Sequence, residues 1–135
     1  MIGQTKNGSF QIGVRRTLPI SGEQAWNFLI SKEGQRIWLG EDYPLTLAEG
    51  EPYTTPGGAK GIVRVINPEV NLRLSWQPSE WAQASTIQIR TIPRGSGTTI
   101  SFHQEGLPDA AARASMRRRW QQALAKLEAH FSARK

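Results

Sequence analysis

The chain offers few groups capable of covalent chemistry. Its 135 residues include no cysteine, which excludes disulfides, thiol nucleophiles and thiolate metal ligands. The two histidines, His103 and His130, lie apart in sequence with no cluster of carboxylates beside them, so neither a metal site nor a cofactor is expected. His103 and Glu105 share one face of an alternating segment, opposite Ile100 and Phe102. That face should meet solvent, which argues against a general acid–base pair. Glu41 and Asp42 are adjacent in a turn-rich stretch, where such pairs serve turn geometry more often than catalysis. There is no Gly-x-Ser-x-Gly elbow and no phosphate loop, and Gly57, Gly58 and Gly61 lack dinucleotide-binding spacing.

Binding chemistry has more to work with. Five tryptophans is a high number for this length. Trp26 sits among Ala25, Phe28 and Leu29 and reads as core. Trp76 and Trp120 are equally compatible with core and with the wall of a pocket. Trp38 and Trp81 fall in a short helix and a loop, where aromatics tend to mark an entrance. Arg113 precedes Met116 by three residues and Trp120 by seven, so it projects from the apolar side of the final helix. Two readings stay open for it. It snorkels to solvent beyond the apolar contact, or it holds a carboxylate or phenolate at the mouth of an otherwise apolar pocket. Tyr53 and Thr91 are the other polar side chains that could turn inward. The expected ligand-binding set is Trp38, Tyr53, Trp76, Phe102, Arg113, Met116 and Trp120, with no catalytic residue and no metal ligand assigned.

These residues must be positioned by a small number of elements. Pro108 to Phe131 reads as one amphipathic helix. It has no internal Gly or Pro, and Met116, Trp120, Ala123, Leu124, Leu127 and Phe131 recur at spacings of three and four. Pro108 suits the first helical position, and Asp109 complements the helix dipole. Upstream, Ser9 to Leu18 alternates as a strand with Phe10, Ile12 and Val14 on one side. Ser21 and Gln24 suggest a capping box before a short helix carrying Ala25, Trp26, Phe28 and Leu29, and a second short helix follows around Glu33 to Trp38. Short strands are expected near Leu45–Ala48 and Tyr53–Thr55. Further strands follow at Gly61–Asn67, Asn71–Trp76, Ser85–Ile92 and Thr98–Glu105, with a hairpin turn over Pro93–Gly97. This order predicts an α+β fold: an antiparallel sheet of about six to seven strands, two short helices after the first, and a long C-terminal helix. The whole chain, 1–135, is read as a single domain.

Net charge is +6, and its placement is uneven. Residues 91–135 hold 8 of the 17 basic but only 3 of the 11 acidic side chains. The surplus centres on Arg117, Arg118 and Arg119, read here as a solvated helix back rather than a nucleic-acid surface, because aromatics do not interleave with it. The N-terminal stretch shows no signal-peptide pattern and nothing approaches the ~20 apolar residues of a membrane span. With the absence of cysteine this fits a cytoplasmic protein, monomer or homodimer.

The ordered set of segments resembles a known family. Arg16-Thr17-Leu18-Pro19-Ile20 leads into Ala25-Trp26-Asn27-Phe28-Leu29, then Trp38 and the Gly57-Gly58 turn. Gly61-Ile62-Val63-Arg64-Val65, Leu72-Arg73-Leu74-Ser75-Trp76 and Gly97-Thr98-Thr99-Ile100-Ser101-Phe102-His103-Gln104-Glu105-Gly106-Leu107 follow, before a helix with Trp120, Leu124 and Leu127. Over about residues 9–131 this is similar to the START-like (SRPBCC, birch-pollen-allergen-like) superfamily, in the branch of activators of the heat-shock-protein ATPase. The resemblance implies a helix-grip fold, a curved sheet wrapped around the C-terminal helix with a cavity between them. It also implies a small apolar or amphipathic ligand, lipid-like or aromatic, in that cavity. Some members are cyclases or hydrolases, and the eukaryotic namesake contacts a chaperone through a protein that carries an additional N-terminal domain. Three functions therefore follow as expectations: ligand binding first, an enzyme of cyclase or hydrolase type second, and a stress-related or chaperone-associated interaction module third.

Overall fold

Alternation of apolar side chains gives the strands one buried face each, and a computed structural model, describing residues 10–132, shows how they pair. Strand β1 (Phe10–Leu18) is followed by helices α1 (Gly22–Ile30) and α2 (Lys32–Leu39). Strands β2 (Pro52–Thr54), β3 (Lys60–Asn67), β4 (Asn71–Trp76), β5 (Ser85–Arg94) and β6 (Gly97–Leu107) come next, and helix α3 (Ala110–Ser132) closes the order. The six strands form one curved antiparallel sheet in the order β1-β6-β5-β4-β3-β2. Ser9, expected to open β1, lies outside the described residues.

The inner face carries Leu72, Leu74 and Trp76 on β4, Ile87 and Ile89 on β5, and Ile100 and Phe102 on β6, all buried. Helix α3 crosses β1 and β6 and lays Met116, Trp120, Ala123, Leu124 and Leu127 into this face. Each large apolar side chain so covered contributes about 1.5–3 kcal/mol, so the stripe on α3 is the chief tie between the helix and the sheet.

The two short helices meet at one serine. Ser21 opens α1 with a full capping box: its Oγ accepts from Gln24 N at 3.0 Å, and Gln24 Oε1 accepts from Ser21 N at 2.9 Å. Ser31 ends α1 and starts α2, accepting from Gly34 N at 3.1 Å and donating to Phe28 O at 2.6 Å. The corner is so tight that a Cβ on Gly34 would collide with the Phe28 carbonyl. Helix α2 ends at Gly40 in the left-handed region (φ 82°), a C-terminal glycine stop.

Three expectations need correction. Leu45–Ala48 is not a strand. Pro44 removes a donor, and the Leu45 N–H instead donates to the buried Gln35 side chain at 2.7 Å, so Leu45 is buried without a ladder. The β5–β6 turn is tighter than Pro93–Gly97. Pairing continues through Pro93↔Thr98 to Arg94↔Gly97, and Gly95 (φ 59°) makes the turn. Helix α3 begins at Ala110, after Pro108. Asp109 acts as a cap, its Oδ1 accepting from Ala112 N at 2.7 Å.

Candidate functional site

The middle of the sheet–helix contact is filled by side chains. Trp120 stacks on Phe102, with ring centres 4.8 Å apart and planes 13° from parallel, and both are wholly buried. A buried hydrogen-bond chain fixes this plug. Trp120 Nε1 donates to Gln104 Oε1 at 3.0 Å, Gln104 Nε2 donates to Ser85 Oγ at 2.9 Å, and Ser85 Oγ donates to Trp76 O at 2.7 Å. One run of polar atoms thus joins α3 to β6, β5 and β4, and every side-chain nitrogen and oxygen in it has a partner.

Open space lies instead beside the N-terminal half of α3. A cleft of about 750 Å³ runs between that helix and the β4–β5 connection. Trp76, Pro78 and Trp81 line one wall, and Ala112, Met116 and Arg119 the other. Trp81 stands edge-on to Trp76, with centroids 5.4 Å apart and planes at 88°. Its loop is held by Gln77 Nε2, which donates to Trp81 O at 2.7 Å. Glu80 and Asp109 stand at the exposed rim, Asp109 being occupied as the helix cap.

Arg119 is the unexpected member. It belongs to the arginine run read as a solvated back, yet its side chain folds inward under α2. One Nη donates to the Trp38 carbonyl at 3.2 Å and to the Leu39 carbonyl. Its guanidinium lies 4.9 Å from the Trp76 ring centre and 5.5 Å from that of Trp120. The carbonyl end of α2 suits a cation. Gly40 leaves room for it, since a Cβ there would stand 3.0 Å from an Arg119 nitrogen. Burial pulls the guanidinium's pKa below its ordinary value, and the nearby Glu41 carboxylate and Tyr53 push back. No carboxylate makes an ion pair with it among the described residues, where the pairs are Arg16–Glu128 and His130–Glu33. Its Nε has no hydrogen-bond partner, and neither does Nε1 of Trp76, a residue only 7% exposed.

The other expected site residues scatter around this cleft. Trp76 and Met116 line it. Phe102 and Trp120 lie beneath it in the plug. Trp38 is not at an entrance: it is fully buried in the α1–α2 corner, where its Nε1 donates to Leu29 O at 2.8 Å. Trp81, paired with it in that expectation, does border the opening and is half-buried. Arg113 neither snorkels nor faces the cleft. Its Nε donates to Gln11 O on β1 at 2.8 Å, stapling the helix to the edge strand. Tyr53 is buried on β2, its hydroxyl donating to Ser75 O, and burial raises its pKa above the ordinary tyrosine range. Thr91 is buried with an unpartnered hydroxyl and is not part of the cleft. Glu41 is half-buried and accepts from Gly57 N at 2.7 Å, pinning the Gly57–Gly58 turn to the end of α2. His103 bonds Gln11 on the outer face, and His130 stacks on Phe28 at the far end of α3. Among the described residues no cluster of His, Asp and Glu could hold a metal ion, and no helix is long and apolar enough to cross a membrane.

A signal for Arg119 did exist. It follows Met116 by three residues and precedes Ala123 by four, so it flanks the apolar stripe on the side opposite Arg117.

A curved antiparallel sheet gripping a long C-terminal helix, with two short helices after the first strand, is the helix-grip fold of the START-like proteins. Within them, the sequence pattern of the activator of Hsp90 ATPase homolog 1-like proteins matches residues 19–132, and the chain belongs to that family. No curated protein sequence matches the chain directly. Several solved structures share its fold. The chain is similar to protein MLL2253 from Mesorhizobium loti (20% identity, TM-score 0.78, 93% of this chain and 98% of that one). It is similar to CalU16 from Micromonospora echinospora (19% identity, TM-score 0.74, 92% and 78%). It is also similar to PFC0360w, an HSP90 activator from Plasmodium falciparum (15% identity, TM-score 0.75, 90% and 96%). At these identities the likeness is one of fold.

Proposed function

We propose that this chain is a small-molecule-binding domain, and that its apolar or amphipathic ligand sits in the cleft between α3 and the β4–β5 connection. The observation that carries this reading is the cleft's wall. Two aromatic rings, Trp76 and Trp81, face Met116 and the alanines of α3 across about 750 Å³, a size suited to one small ligand. The filled centre of the sheet–helix contact moves the ligand away from Phe102 and Trp120, so the site is a groove at one end of α3.

The test is titration with N-phenyl-1-naphthylamine, a neutral apolar fluorophore, read by its own emission and by quenching of tryptophan. Saturable micromolar binding that weakens at least fivefold in Met116→Asp or Trp81→Ala is expected, with a rise in melting temperature on binding. Absence of saturable binding to the wild-type protein would sink the reading. The enzyme alternative finds no support in the site: Tyr53 spends its hydroxyl on Ser75 O, and the one carboxylate of the rim not engaged as a cap, Glu80, is exposed. A chaperone-associated role draws on the family's description and on that of one similar structure of 15% identity, and no feature of the cleft favours it.

A further inference from the structure

The cleft's polar end is incomplete, and what it lacks is specific. Three features converge on one wall. Arg119 is a largely buried cation whose hydrogen bonds go to two neutral carbonyls, and no carboxylate pairs with it among the described residues. Its Nε–H has no acceptor. The side chain it stacks on, Trp76, holds a second N–H without an acceptor. Buried donors are nearly always paired, and a buried charge usually has a counter-charge. Glu41 acts on Arg119 through space but is not in ion-pair contact with it, and its Oε1 holds Gly57 N.

Resting on the small-molecule reading above, the geometry points to an amphipathic oxyanion as the ligand of this cleft: an apolar or aromatic body against Trp81 and Met116, and a carboxylate accepting from Arg119 and Trp76. The ligand completes what the chain leaves open. Its charge supplies a direct counter-ion to Arg119, and a turn of the stacked Arg119 and Trp76 side chains, whose free N–H groups are closed to solvent in the unliganded chain, brings those donors to its oxygens. The exposed carboxylates Glu80 and Asp109 stand at the rim. They disfavour the reverse orientation, in which the anion would face outward. Arg119 is thereby a specificity-determining residue: it selects a negatively charged ligand over a neutral one of equal shape.

The experiment uses N-phenyl-1-naphthylamine as reporter and two matched competitors, 1-naphthoate and its neutral isostere 1-naphthamide. Wild-type protein should release the reporter to 1-naphthoate at a concentration roughly tenfold to a hundredfold lower than to 1-naphthamide, the range set by charge-assisted hydrogen bonds. Arg119→Gln should reduce that ratio to within about twofold while reporter binding persists, and Trp76→Phe should reduce it severalfold. Arg118→Gln, on the exposed back, should leave it unchanged. Should Arg119→Gln fail to fold, Arg119→Lys and Trp76→Phe decide, each expected to lower the wild-type ratio. Reporter binding with equal displacement by both competitors, or by neither, overturns the oxyanion proposal and leaves the cleft reading intact. So does a preference for 1-naphthoate that survives the Arg119 and Trp76 substitutions. Failure of the reporter itself to bind strikes the cleft reading instead.

Discussion

The hydrogen-bond chain from Trp120 through Gln104 and Ser85 to Trp76 makes a quantitative test of how α3 is tied to the sheet. Replacing Gln104 by methionine keeps an unbranched side chain of similar size in a position with no solvent exposure. The apolar volume is nearly conserved, so the packing penalty is small. What changes is the indole N–H of Trp120, left buried with no acceptor. That orphaned donor costs about 1–3 kcal/mol. Ser85 keeps its bond to the Trp76 carbonyl and is only slightly affected. Equilibrium urea unfolding, followed by far-UV circular dichroism, measures the change, provided the m-value is unaltered. In a chain of this length each kcal/mol corresponds to roughly 3–5 °C in melting temperature. The decisive version is a double-mutant cycle with Trp120→Phe. That substitution removes the N–H, and with it the reason for the glutamine. In the Trp120→Phe background Gln104→Met should be close to neutral, because the buried amide oxygen it then removes has already lost its donor, which offsets the loss of the Nε2 bond to Ser85 Oγ. The coupling energy should therefore exceed about 1 kcal/mol, against the few tenths expected of independent sites. Additive effects would refute the view that this chain of polar atoms acts as a unit.

Two further predictions follow from the same geometry. Gly40→Ala forces a Cβ onto a left-handed backbone and against the Arg119 guanidinium. It should cost about 1–2 kcal/mol of stability in urea unfolding, and by displacing Arg119 should lower the preference for 1-naphthoate over 1-naphthamide. Stability should also fall in alkali through Tyr53. Burial holds its folded pKa above the unfolded value near 10, so its contribution is full below about pH 10 and is lost as pH rises further. Tyr53→Phe should flatten that alkaline decline, and an unchanged slope in melting temperature against pH would refute it.

The parts of the fold legible in the sequence are those with a period. Met116, Trp120, Ala123, Leu124 and Leu127 recur as a helix stripe and are buried as one, and the alternation of Leu72, Leu74 and Trp76 or of Ile87 and Ile89 gives their strand faces. Leu45 and Leu47 alternate too, but a side-chain amide from Gln35 takes the backbone N–H that a ladder would need, and only the three-dimensional packing of α2 reveals it. Spacing does not place Trp38, because a short helix has too few turns to announce which face is central, and its burial comes from the α1–α2 corner built on Ser31. The arginines show a different limit. Arg113 and Arg119 each lie near the apolar stripe, and spacing alone tells which side of the helix they leave from. The acceptors are set by distant segments, Gln11 on β1 for one and the end of α2 for the other. A charge run averaged over Arg117, Arg118 and Arg119 hides that the third has left the surface.

Gln104 and Arg119 represent two different uses of a buried polar group within one helix-to-sheet contact. Gln104 sits where the chain provides acceptor and donor alike, so its role is complete in the folded protein and its removal should register as lost stability. Arg119 is only partly provided for. The α2 carbonyls and two indole faces offset its desolvation, while an N–H on it and another on Trp76 are left over. An apolar residue of similar volume would escape the desolvation penalty altogether and need not weaken the fold. Its cost would be two uncovered carbonyls at Trp38 and Leu39, so the two effects on stability oppose each other at this position. Binding has no such opposition, because both leftover donors belong to stacked side chains of the cleft wall, and an acceptor toward which those side chains turn gains both. Substitution at Arg119 should therefore move ligand preference with opposed effects on stability, whereas substitution at Gln104 should move stability alone, which distinguishes a site from a well-made core.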